Sequence, residues 1–564
     1  MIHDKTGLLH LAEMMVQRGI KTLINSPGSR NAPIVTVFCG HKEIECLSIV
    51  DERSAAFFAL GMAQQLHQPV AIACTSGSAA LNYAPAIAEA YYQRIPLIVL
   101  TADRPEEWID QGDGQTIRQK NVFGPHVRKS VQLPQSTKNK DELWYNDRLI
   151  SEALNAAIYP VAGPVHINLP FSEPLYGFDH SLQTQPKDIR IVEPEQTLNA
   201  ETFASLANQW NLSKKKLVLV GQMSPDAKLQ HQLELLSADP SVTILSETTS
   251  NIHHPDFNSC IDRSLSTMQN AEDFYPEILL TFGGPIVSKR IKSFFRKASI
   301  QAHWNIDPAD LHVDTYQHLT HAIPIQAVSF LEQLNQNTAH SESDFKAQWL
   351  KVHSHARHIH EKYLAKASYS DLKIFEKIIE SIPSSAKIQL ANSTPVRYSQ
   401  LFEYKNNYQF DSNRGTSGID GSLSTAAGAA FASGMLTVMI TGDLGFFYDS
   451  NALWNNHIPS NLKTIVINNE GGGIFRFIDG PSDTGLLEPY FEARHQTSAR
   501  YIAEAFGADY HLVTDKASLD KQLESFFEPS DRTSVLEIKS PARKSAEVLK
   551  CYFKELEKKS KQNR

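Results

Sequence analysis

Short apolar runs alternate with helix-length amphipathic segments along the whole chain. In the first third, the apolar runs are KTLINS, CLSIV, PVAIACTS, IPLIVLTA and VHINLP, and segments such as ERSAAFFALGMAQQL lie between them. Strands that are apolar on both faces and separated by helices are typical of a parallel sheet covered by helices on both sides. The pattern therefore predicts an α/β domain over residues 1–180.

The same alternation returns twice. The runs LVLVGQ, VTILSE, EILLTFGG and QAHWNID predict a second domain over residues 181–345, and KIQLANS, TVMITGD, KTIVINN and SVLEIKS predict a third over residues 346–564. Residues 171 to about 212 are rich in Pro, Gly and charge and predict a linker. A polar, His-rich stretch near 342–366 predicts a helix. We expect three α/β domains, each with a mostly parallel sheet flanked by helices, and their similar size suggests an ancient duplication.

Composition narrows the class of protein. The formal net charge of -8 gives no general attraction to nucleic acids, and we expect the lysines at 214–216 and the tail from Lys554 to be solvated surface. No apolar run approaches the roughly 20 residues that span a bilayer, and no basic region precedes an apolar core at the N-terminus, so neither membrane insertion nor a secretory signal is indicated. The five cysteines are scattered without CxxC pairs, which argues against a disulfide framework and a thiolate metal site and fits a reducing cytoplasm.

Two predicted strands of the third domain end in polar residues. TVMITGD ends at Asp443 and KTIVINN ends at Asn469, and the carboxyl ends of parallel strands meet at one edge of a sheet. The Asp443 carboxylate, the Asn469 side-chain oxygen and the Gly471 carbonyl would give a hard divalent cation three oxygen ligands, with two phosphate oxygens and a water completing an octahedron. The pattern predicts a Mg²⁺ site beside a diphosphate and close to a helix beginning near Asp449. The alternative is a pair of ordinary turns, since GD and NN are common turn dipeptides.

GD followed by about two dozen residues and NN resembles the thiamine-diphosphate motif of the family that includes pyruvate decarboxylase and acetolactate synthase. That resemblance implies pyrimidine, middle and diphosphate domains in this order, thiamine diphosphate with Mg²⁺ or Mn²⁺, and a homodimer or homotetramer with active sites at the subunit interface. It also implies a glutamate, contributed from the opposite subunit, that protonates the pyrimidine ring of the cofactor. Glu52, within VDERSAAFFALG, matches that position. Its alternative role is to complement the dipole of a helix N-terminus.

Six further segments resemble one branch of this family, the carboligases of menaquinone biosynthesis: SPGSRNAP, TADRPEEW, GQTIRQ, NSTPVR, NRGTSGIDG and NNEGGGIF. The resemblance implies decarboxylation of 2-oxoglutarate and 1,4-addition of the succinyl carbanion equivalent to isochorismate. By the same resemblance, the residues facing the 2-oxoglutarate part are Ser393, Arg397 and Arg414, and those facing isochorismate are Ser29, Arg30, Arg104, Gln115, Lys289 and Arg290. It also makes Ile419 the residue that supports the bent cofactor, and Ile474 and Phe475 are expected to line the substrate pocket.

Each of these residues has an ordinary structural alternative. Arginine suits substrates that carry several carboxylates, but any one arginine is also a common surface ion-pair former. Lys289 and Arg290 fit the basic face of a helix equally well, and Ile419 fits simple core packing. Glu470 would place an extra negative charge beside the cation, so we expect its side chain to turn outward. We expect no metal site at the histidines of residues 353–360, which have no cysteine or acidic partner at ligand spacing.

Two other functions stay open on sequence alone. One is a different thiamine-diphosphate enzyme, an acetolactate-synthase-like protein or a 2-oxoacid decarboxylase, whose donor pocket would be apolar and would not need Arg397 and Arg414. The other is a catalytically silent paralogue with a binding or scaffold role. Such a paralogue is expected to lose Glu52, Asp443 or Asn469, and all three are present.

Overall fold

The computed structural model describes residues 5–179, 181–194, 196–405, 408–476 and 485–561. Over these residues the chain forms three sheets of six strands each, in which all neighbouring strands run parallel. One sheet falls within each predicted domain, which confirms the predicted fold of three α/β units. The boundaries at 180 and 345 stay predictions.

The N-terminal sheet has the order β2-β1-β3-β4-β6-β5. Its two faces are covered by separate apolar cores, one of which also includes residues of the C-terminal domain. Its strands are β1 Thr22–Asn25, β2 Glu45–Ser48, β3 Val70–Cys74, β4 Leu97–Asp103, β5 Lys129–Gln132 and β6 Val165–Pro170. Its helices are α1 Thr6–Gln17, α2 Ala32–Cys39, α3 Glu52–Leu66, α4 Ser78–Asn82, α5 Ala84–Gln93 and α6 Lys140–Ala156.

The middle sheet has the order β12-β11-β10-β7-β8-β9. Its strands are β7 Lys216–Val220, β8 Val242–Ser246, β9 Phe257–Asn258, β10 Ile278–Phe282, β11 Ala302–Ile306 and β12 Leu319–Ile323. Its helices are α7 Ala200–Leu212, α8 Ala227–Ser237, α9 Ile261–Thr267, α10 Lys289–Lys297 and α11 Ala327–Asn337, and α12 Phe345–Leu364 leads into the next domain. The His-rich stretch thus forms the expected helix.

The C-terminal sheet has the order β14-β13-β15-β16-β18-β17. Counted from the first strand of each domain, this order equals that of the N-terminal sheet but differs from that of the middle sheet, so the strand order fits a duplication for two of the three units. Its strands are β13 Lys387–Leu390, β14 Gln409–Asp411, β15 Thr437–Gly442, β16 Leu462–Asn468, β17 Asp509–Val513 and β18 Ser534–Lys539. Its helices are α13 Asp371–Ser381, α14 Thr394–Ser399, α15 Ser422–Ser433, α16 Asp443–Tyr448, α17 Arg500–Ala505, α18 Lys516–Phe526 and α19 Ala542–Lys561.

Helices α3 and α15 join the N-terminal and C-terminal domains. A side chain in place of Gly61 would lie 1.9 Å from the Thr425 carbonyl oxygen, and one in place of Gly428 would lie 1.9 Å from the Phe58 carbonyl oxygen. Two helices approach this closely only where neither carries a side chain at the contact. The glycines therefore set the distance between the domain that begins α3 with Glu52 and the domain that carries the diphosphate motif.

Two expectations about helices were right only in part. The predicted linker ends early, because α7 begins at Ala200 and belongs to the middle domain. Its buried residues Phe203, Leu206, Ala207 and Trp210 follow helical spacing, a signal that the surrounding polar residues obscured. Near Asp449 the structure has a short 3-10 helix, Ser450–Leu453, whereas the α-helix of this segment begins earlier, at Asp443 directly after β15.

The expectation of a solvated Lys214–Lys216 cluster holds only in part. Lys216 is fully buried in β7 and its ammonium group lies 2.9 Å from the Asp239 carboxylate. The tail from Lys554 continues α19 as far as Lys561, and the last three residues lie outside the described part of the chain. Among the described helices, none is both long and apolar enough to cross a bilayer.

Candidate functional site

The expected cation ligands lie together at the carboxyl edge of the C-terminal sheet. β15 and β16 are adjacent and parallel, with Gly442 beside Ile467, so Asp443 and Asn469 leave neighbouring strands at the same edge. Asp443 is 2 % exposed. The Gly471 N–H donates to its Oδ2 at 2.9 Å, which ties the loop after β16 to the start of α16. Each carboxylate oxygen keeps a further lone pair for a cation.

The residues fit a hard cation. Asn469 is 8 % exposed, and its Oδ1 is buried without a hydrogen-bond donor among the described residues. An amide oxygen left in this state is costly unless it has a ligand. Gly471 has φ +146°, and a side chain there would lie 2.6 Å from the Glu492 carbonyl oxygen. The loop therefore requires glycine at the position expected to supply a carbonyl ligand.

Two further side chains, Glu470 and His495, lie close to the expected cation ligands. The Glu470 side chain is 43 % exposed and pairs with Arg494 at 3.3 Å, which confirms that it turns outward. His495 was missed by sequence reasoning. Its Nε2 lies 3.3 Å from Asp443 Oδ2, and no spacing motif connects the two residues along the chain.

Glu52 is the first residue of α3, at the carboxyl end of β2. Asn82 Nδ2 donates to its Oε2 at 3.3 Å. The next residue, Arg53, donates to the Tyr448 carbonyl oxygen at 2.9 Å. The start of α3 thus contacts the end of α16, the helix that begins at Asp443.

Ile419 lies beside the first turn of α16. A side chain added at Gly445 would come to 3.9 Å from Ile419 Cβ. Ile419 is only partly buried. Its apolar surface is therefore not fully used by the core, which leaves part of it to contact a ligand.

Arg397 and Arg414 form a pair of closely spaced cations. Arg414 Nη1 donates to Asn392 Oδ1 at 2.7 Å. The Nε atoms of both arginines are buried without an acceptor in the residues that the structure describes. Burial and the Arg397 charge lower the pKa of Arg414. Two guanidinium groups with unused donors provide an environment suited to a carboxylate.

The loop that carries Arg414 is fixed from the N-terminal domain. The Glu89 carboxylate, 1 % exposed, accepts from Gly415 N at 2.7 Å and from Thr416 N at 2.6 Å. Ser393, also expected at this site, has φ +75° and directly precedes α14, which carries Arg397. Both arginines therefore extend from short, anchored segments rather than from long loops.

A cavity of about 210 Å³ lies between the middle and C-terminal domains. Its lining includes Lys289, Arg290, Arg397 and Ile474, so these four expected site residues meet in one place. Arg290 also stacks on Phe553, with the guanidinium carbon 4.5 Å from the ring centroid.

Two residues near this cavity differ from expectation. Phe475 packs against Phe491, with ring centroids 5.8 Å apart, and is not among the described residues that line the cavity. Lys292, which sequence reasoning missed, lies close enough to Arg397 and Arg414 for their charges to lower its pKa, after the larger effect of burial. It follows Lys289 by one helical turn, a spacing that would have placed both on one face of α10.

The remaining expected substrate residues lie in the N-terminal domain. Arg30 is 6 % exposed and donates to the Phe171 carbonyl oxygen at 3.2 Å and to Glu173 at 3.1 Å. Arg104 donates to the Gly114 carbonyl oxygen at 3.1 Å. Ser29 and Gln115 are exposed near them, since Ser29 precedes Arg30 and Gln115 follows Gly114. Within the described ranges, no hydrogen bond or ion pair joins this group to Arg397 or Arg414.

Glu247 is a buried carboxylate close to Arg414 and Lys292. Glu247 is 3 % exposed and accepts from Val287 N and Ser288 N at 2.7 Å each, directly before α10. Burial raises the pKa of Glu247 to about 7, although these two hydrogen bonds and the nearby Arg414 act in the opposite direction.

Glu247→Gln is expected to gain stability relative to the wild type as the pH rises from about 5 to about 8. Because folding raises the pKa of Glu247 from 4.5 to about 7, the wild type has its full stability below pH 4.5 and loses part of it as the pH rises through about 7. Glutamine does not titrate, so the variant has no such loss. The gain in the free energy of unfolding of the variant, relative to the wild type, is at most about 3 kcal/mol. Chemical denaturation of both proteins at the two pH values measures it, and a difference that does not vary with pH would contradict it.

The His-rich helix has structural contacts. His353 Nε2 lies 3.2 Å from Glu403, and His360 Nδ1 lies 2.8 Å from the Tyr552 hydroxyl. Across the described residues, no group of three or more His, Cys, Asp or Glu side chains is arranged to hold a metal. A cation site built from one carboxylate, one amide and one carbonyl is of a different kind.

Comparison with known families matches the chain in three consecutive pieces. Residues 5–122 match the N-terminal TPP binding domain of thiamine pyrophosphate enzymes. Residues 191–390 match the description "middle domain of thiamine pyrophosphate", and residues 393–538 match the C-terminal TPP binding domain. Thiamine pyrophosphate is another name for thiamine diphosphate.

Curated relatives match over nearly the full length. A 2-succinyl-5-enolpyruvyl-6-hydroxy-3-cyclohexene-1-carboxylate synthase from Flavobacterium johnsoniae is 43 % identical over 99 % of this chain and 100 % of its own. Proteins of the same name from Christiangramia forsetii and Porphyromonas gingivalis are 45 % and 40 % identical, over 96 % and 98 % of this chain and 97 % of their own length in both cases.

Proposed function

Since this chain belongs to the thiamine pyrophosphate enzymes and, within them, to the family of 2-succinyl-5-enolpyruvyl-6-hydroxy-3-cyclohexene-1-carboxylate synthases, we propose that it joins the succinyl part of 2-oxoglutarate to isochorismate. It is a thiamine-diphosphate-dependent carboligase of menaquinone biosynthesis. The two substrates, the metal and the roles of individual residues are the parts that we propose.

The product named for the relatives indicates both substrates. A succinyl group has four carbons and a terminal carboxylate, which is what 2-oxoglutarate retains after losing carbon dioxide. The remaining cyclohexene carboxylate carries an enolpyruvyl and a hydroxyl group, as isochorismate does, with one ring double bond used up by a 1,4-addition. Donor and acceptor together bring several carboxylates into one site.

The pair Arg397 and Arg414 is the observation that carries this proposal. Their buried Nε donors have no described acceptor, and Lys292 adds a third positive charge close by. The distal carboxylate of 2-oxoglutarate would use these donors. In an acetolactate-synthase-like enzyme, the apolar part of the donor substrate would lie beside these positive charges. The arginine pair therefore favours 2-oxoglutarate, a dicarboxylate, as the donor.

The protein's own groups have distinct roles in the proposed reaction. Asp443, Asn469 and Gly471 would hold Mg²⁺, or Mn²⁺ in its place, against the cofactor's diphosphate. Glu52 would donate a proton to a ring nitrogen of the cofactor, and Ile419 would support the cofactor from below. When bound, thiamine diphosphate supplies the electron sink for decarboxylation and carbon–carbon bond formation.

The isochorismate side is divided between two groups of residues. Ser29, Arg30, Arg104 and Gln115 lie in the N-terminal domain, whereas Lys289 and Arg290 line the cavity beside Arg397. One substrate would contact both groups if the N-terminal domain of a second copy faced this cavity. The separation supports a homodimer or homotetramer with shared active sites, in which Glu52 also comes from the opposite subunit.

The chemistry also suits a reducing compartment. All five cysteines are free, and the site as proposed uses none of them. We therefore place the enzyme in the cytoplasm, where free thiols persist.

Arg414→Met is expected to raise the KM for 2-oxoglutarate by roughly 10- to 100-fold, because a charge-assisted hydrogen bond contributes about 1.5–3 kcal/mol. The KM for isochorismate should change much less. Steady-state kinetics with each substrate varied in turn measures both. Arg148→Met, on the half-exposed face of α6, is the control and should leave both constants unchanged; equal effects of Arg414→Met on the two KM values would contradict the donor assignment.

A further inference from the structure

A short turn of the middle domain contacts three segments that carry basic residues of the site. This ETTSN turn, residues 247–251, follows β8 and includes the 3-10 helix Thr248–Ser250. All five of its residues are buried. The Ser250 hydroxyl donates to the Val220 carbonyl oxygen at 2.7 Å, at the end of the neighbouring strand β7. The turn is therefore fixed to the middle sheet.

The first residue of the turn holds the start of α10. The Glu247 carboxylate accepts from Val287 N with one oxygen and from Ser288 N with the other, at 2.7 Å each. Ser288 is the N-cap residue of α10, and Lys289 and Arg290 are the first two residues of that helix. Both basic side chains line the cavity between the domains. Glu247 thus sets the place from which they extend.

The second residue of the turn is joined to the end of α14. Thr248 N donates to Gln400 Oε1 at 3.0 Å, and Gln400 Nε2 donates to Thr248 Oγ1 at 2.7 Å. Gln400 directly follows α14, the helix that carries Arg397. Because both ends of the buried amide are used, the end of α14 cannot shift along the turn without breaking two hydrogen bonds.

The last residue of the turn holds β14, the edge strand that precedes Arg414. Asn251 Nδ2 donates to the Phe410 carbonyl oxygen at 2.9 Å, and Phe410 N donates to Asn251 Oδ1 at 2.7 Å. The side-chain amide thus pairs with both backbone groups of one residue of β14. Gln222, also in the middle domain, donates to the Ser412 carbonyl oxygen at 2.8 Å. The middle domain therefore holds the chain before Arg414 at two positions.

The charges of the site explain why such contacts are needed. Arg397 lies close enough to Arg414 for its charge to lower the pKa of Arg414. Like charges disfavour each other in a buried place, so contacts from the protein must keep the two guanidinium groups together before a carboxylate binds. Groups that are held in place in advance lower the cost of ordering on binding. A loss of these contacts should therefore weaken substrate binding.

We propose that the ETTSN turn is a positioning element for the basic residues that hold the two substrates. Asn251 acts on the 2-oxoglutarate side, because it holds the strand before Arg414. Glu247 acts on the isochorismate side, because it holds the start of the helix that carries Lys289 and Arg290. The inference rests on the proposed function and gives the middle domain a separate contact for each substrate.

Asn251→Gly tests the 2-oxoglutarate side. Glycine adopts the φ of +52° at this position without strain, and the substitution removes both hydrogen bonds to Phe410. The KM for 2-oxoglutarate is expected to rise roughly 3- to 10-fold, the effect of losing about one net hydrogen bond. The KM for isochorismate and the turnover number should stay close to their wild-type values. Steady-state kinetics with each substrate varied in turn measures all three constants.

Glu247→Gln is expected to give the opposite pattern. The amide oxygen still accepts from one backbone N–H, but the NH₂ group faces the other N–H and repels it. Above the pKa of about 7 of the wild-type carboxyl, the KM for isochorismate should rise roughly 3- to 10-fold. The KM for 2-oxoglutarate should not rise, because the substitution only removes a negative charge near Arg414. Equal effects on the two KM values in either variant would overturn the proposal.

Asn258→Ala is the matched control for a general loss of stability. Asn258 is a buried asparagine of the same domain, 1 % exposed, and its amide exchanges hydrogen bonds with Ser264 Oγ at 3.0 and 3.1 Å. Among the described residues, its side-chain hydrogen bonds reach none of the segments that carry the basic residues. Its replacement should lower the free energy of unfolding and leave both KM values unchanged. A rise in the KM for 2-oxoglutarate as large as in Asn251→Gly would contradict the positioning role.

Hydrogen exchange distinguishes a failure of this inference from a failure of the proposed function. In Asn251→Gly, a peptide covering residues 408–414 should exchange several-fold faster than in the wild type and in Asn258→Ala, because the Phe410 N–H has lost its acceptor. Unchanged exchange would overturn the role of Asn251. If the wild type does not consume isochorismate with 2-oxoglutarate, the proposed function fails, and faster exchange would still support the role of Asn251 in holding β14.

A second variant serves if Asn251→Gly does not fold. Asn251→Asp keeps an acceptor for Phe410 N, but it turns a carboxylate oxygen toward the Phe410 carbonyl oxygen, and aspartate tolerates the left-handed backbone. The same selective rise in the KM for 2-oxoglutarate is expected. An unchanged KM for 2-oxoglutarate in this variant would overturn the proposal.

Discussion

Glu52→Gln is expected to lower the turnover number by roughly 100- to 10,000-fold, the usual range for removing a proton donor from a catalytic site. Glutamine keeps the shape of the side chain and its hydrogen bond from Asn82, but it has no acidic proton to give to a ring nitrogen. The loss of isochorismate, followed in the presence of 2-oxoglutarate, thiamine diphosphate and Mg²⁺, measures the rate.

If Glu52 acts in catalysis, the Glu52→Gln variant should still bind thiamine diphosphate. Calorimetry should give the variant nearly the wild-type affinity for thiamine diphosphate, since the diphosphate and cation ligands are untouched. Glu45→Gln, at an exposed position on the preceding strand β2, should leave the rate unchanged. Full turnover in Glu52→Gln would remove Glu52 from the mechanism.

Asp443→Asn is expected to raise the apparent Kd for Mg²⁺ by more than about 100-fold, beyond the range typical of a residue that only supports a ligand. Asp443 is the one carboxylate in the proposed ligand set, so the substitution removes the charge that attracts the cation directly. It also weakens the hydrogen bond from Gly471 N, which positions a second ligand. Calorimetric titration of Mg²⁺ at saturating thiamine diphosphate gives the Kd.

Asp449→Asn is the appropriate comparison, because it makes the same substitution at a buried carboxylate in the same segment. Asp449 accepts from Ser424 N and Ser424 Oγ at 2.7 Å each. Its replacement should lower the free energy of unfolding and leave the Kd for Mg²⁺ within a few-fold of the wild type. Equal Mg²⁺ affinity in Asp443→Asn and Asp449→Asn would contradict the ligand assignment.

The apolar pattern predicted every inner strand and one edge strand, β2, and missed the other five edge strands. The strands without a corresponding prediction are β5, β9, β12, β14 and β17, and each of them lies at a sheet edge and pairs with a single neighbour. An edge strand such as Leu319–Ile323 is largely exposed and carries no continuous apolar run. Periodicity indicates burial, so it finds the strands that are buried on both faces.

Some residues of the candidate site were likewise predictable from the strand pattern, and others were not. Asp443, Asn469 and Gly471 follow strand ends, so the rules for parallel sheets were sufficient to predict their proximity. His495 and Lys292 reach the site from separate segments, and their positions depend on how loops and helices pack in three dimensions. The arginines were expected from a resemblance, and their spatial pairing became visible only in the folded chain.

We propose above that the chain joins 2-oxoglutarate to isochorismate with thiamine diphosphate. The most direct test incubates the full chain with thiamine diphosphate, Mg²⁺ and both substrates and measures carbon dioxide release together with isochorismate loss. We expect equal amounts of carbon dioxide released and isochorismate lost, and no isochorismate loss when pyruvate replaces 2-oxoglutarate. Turnover with pyruvate and none with 2-oxoglutarate would contradict it.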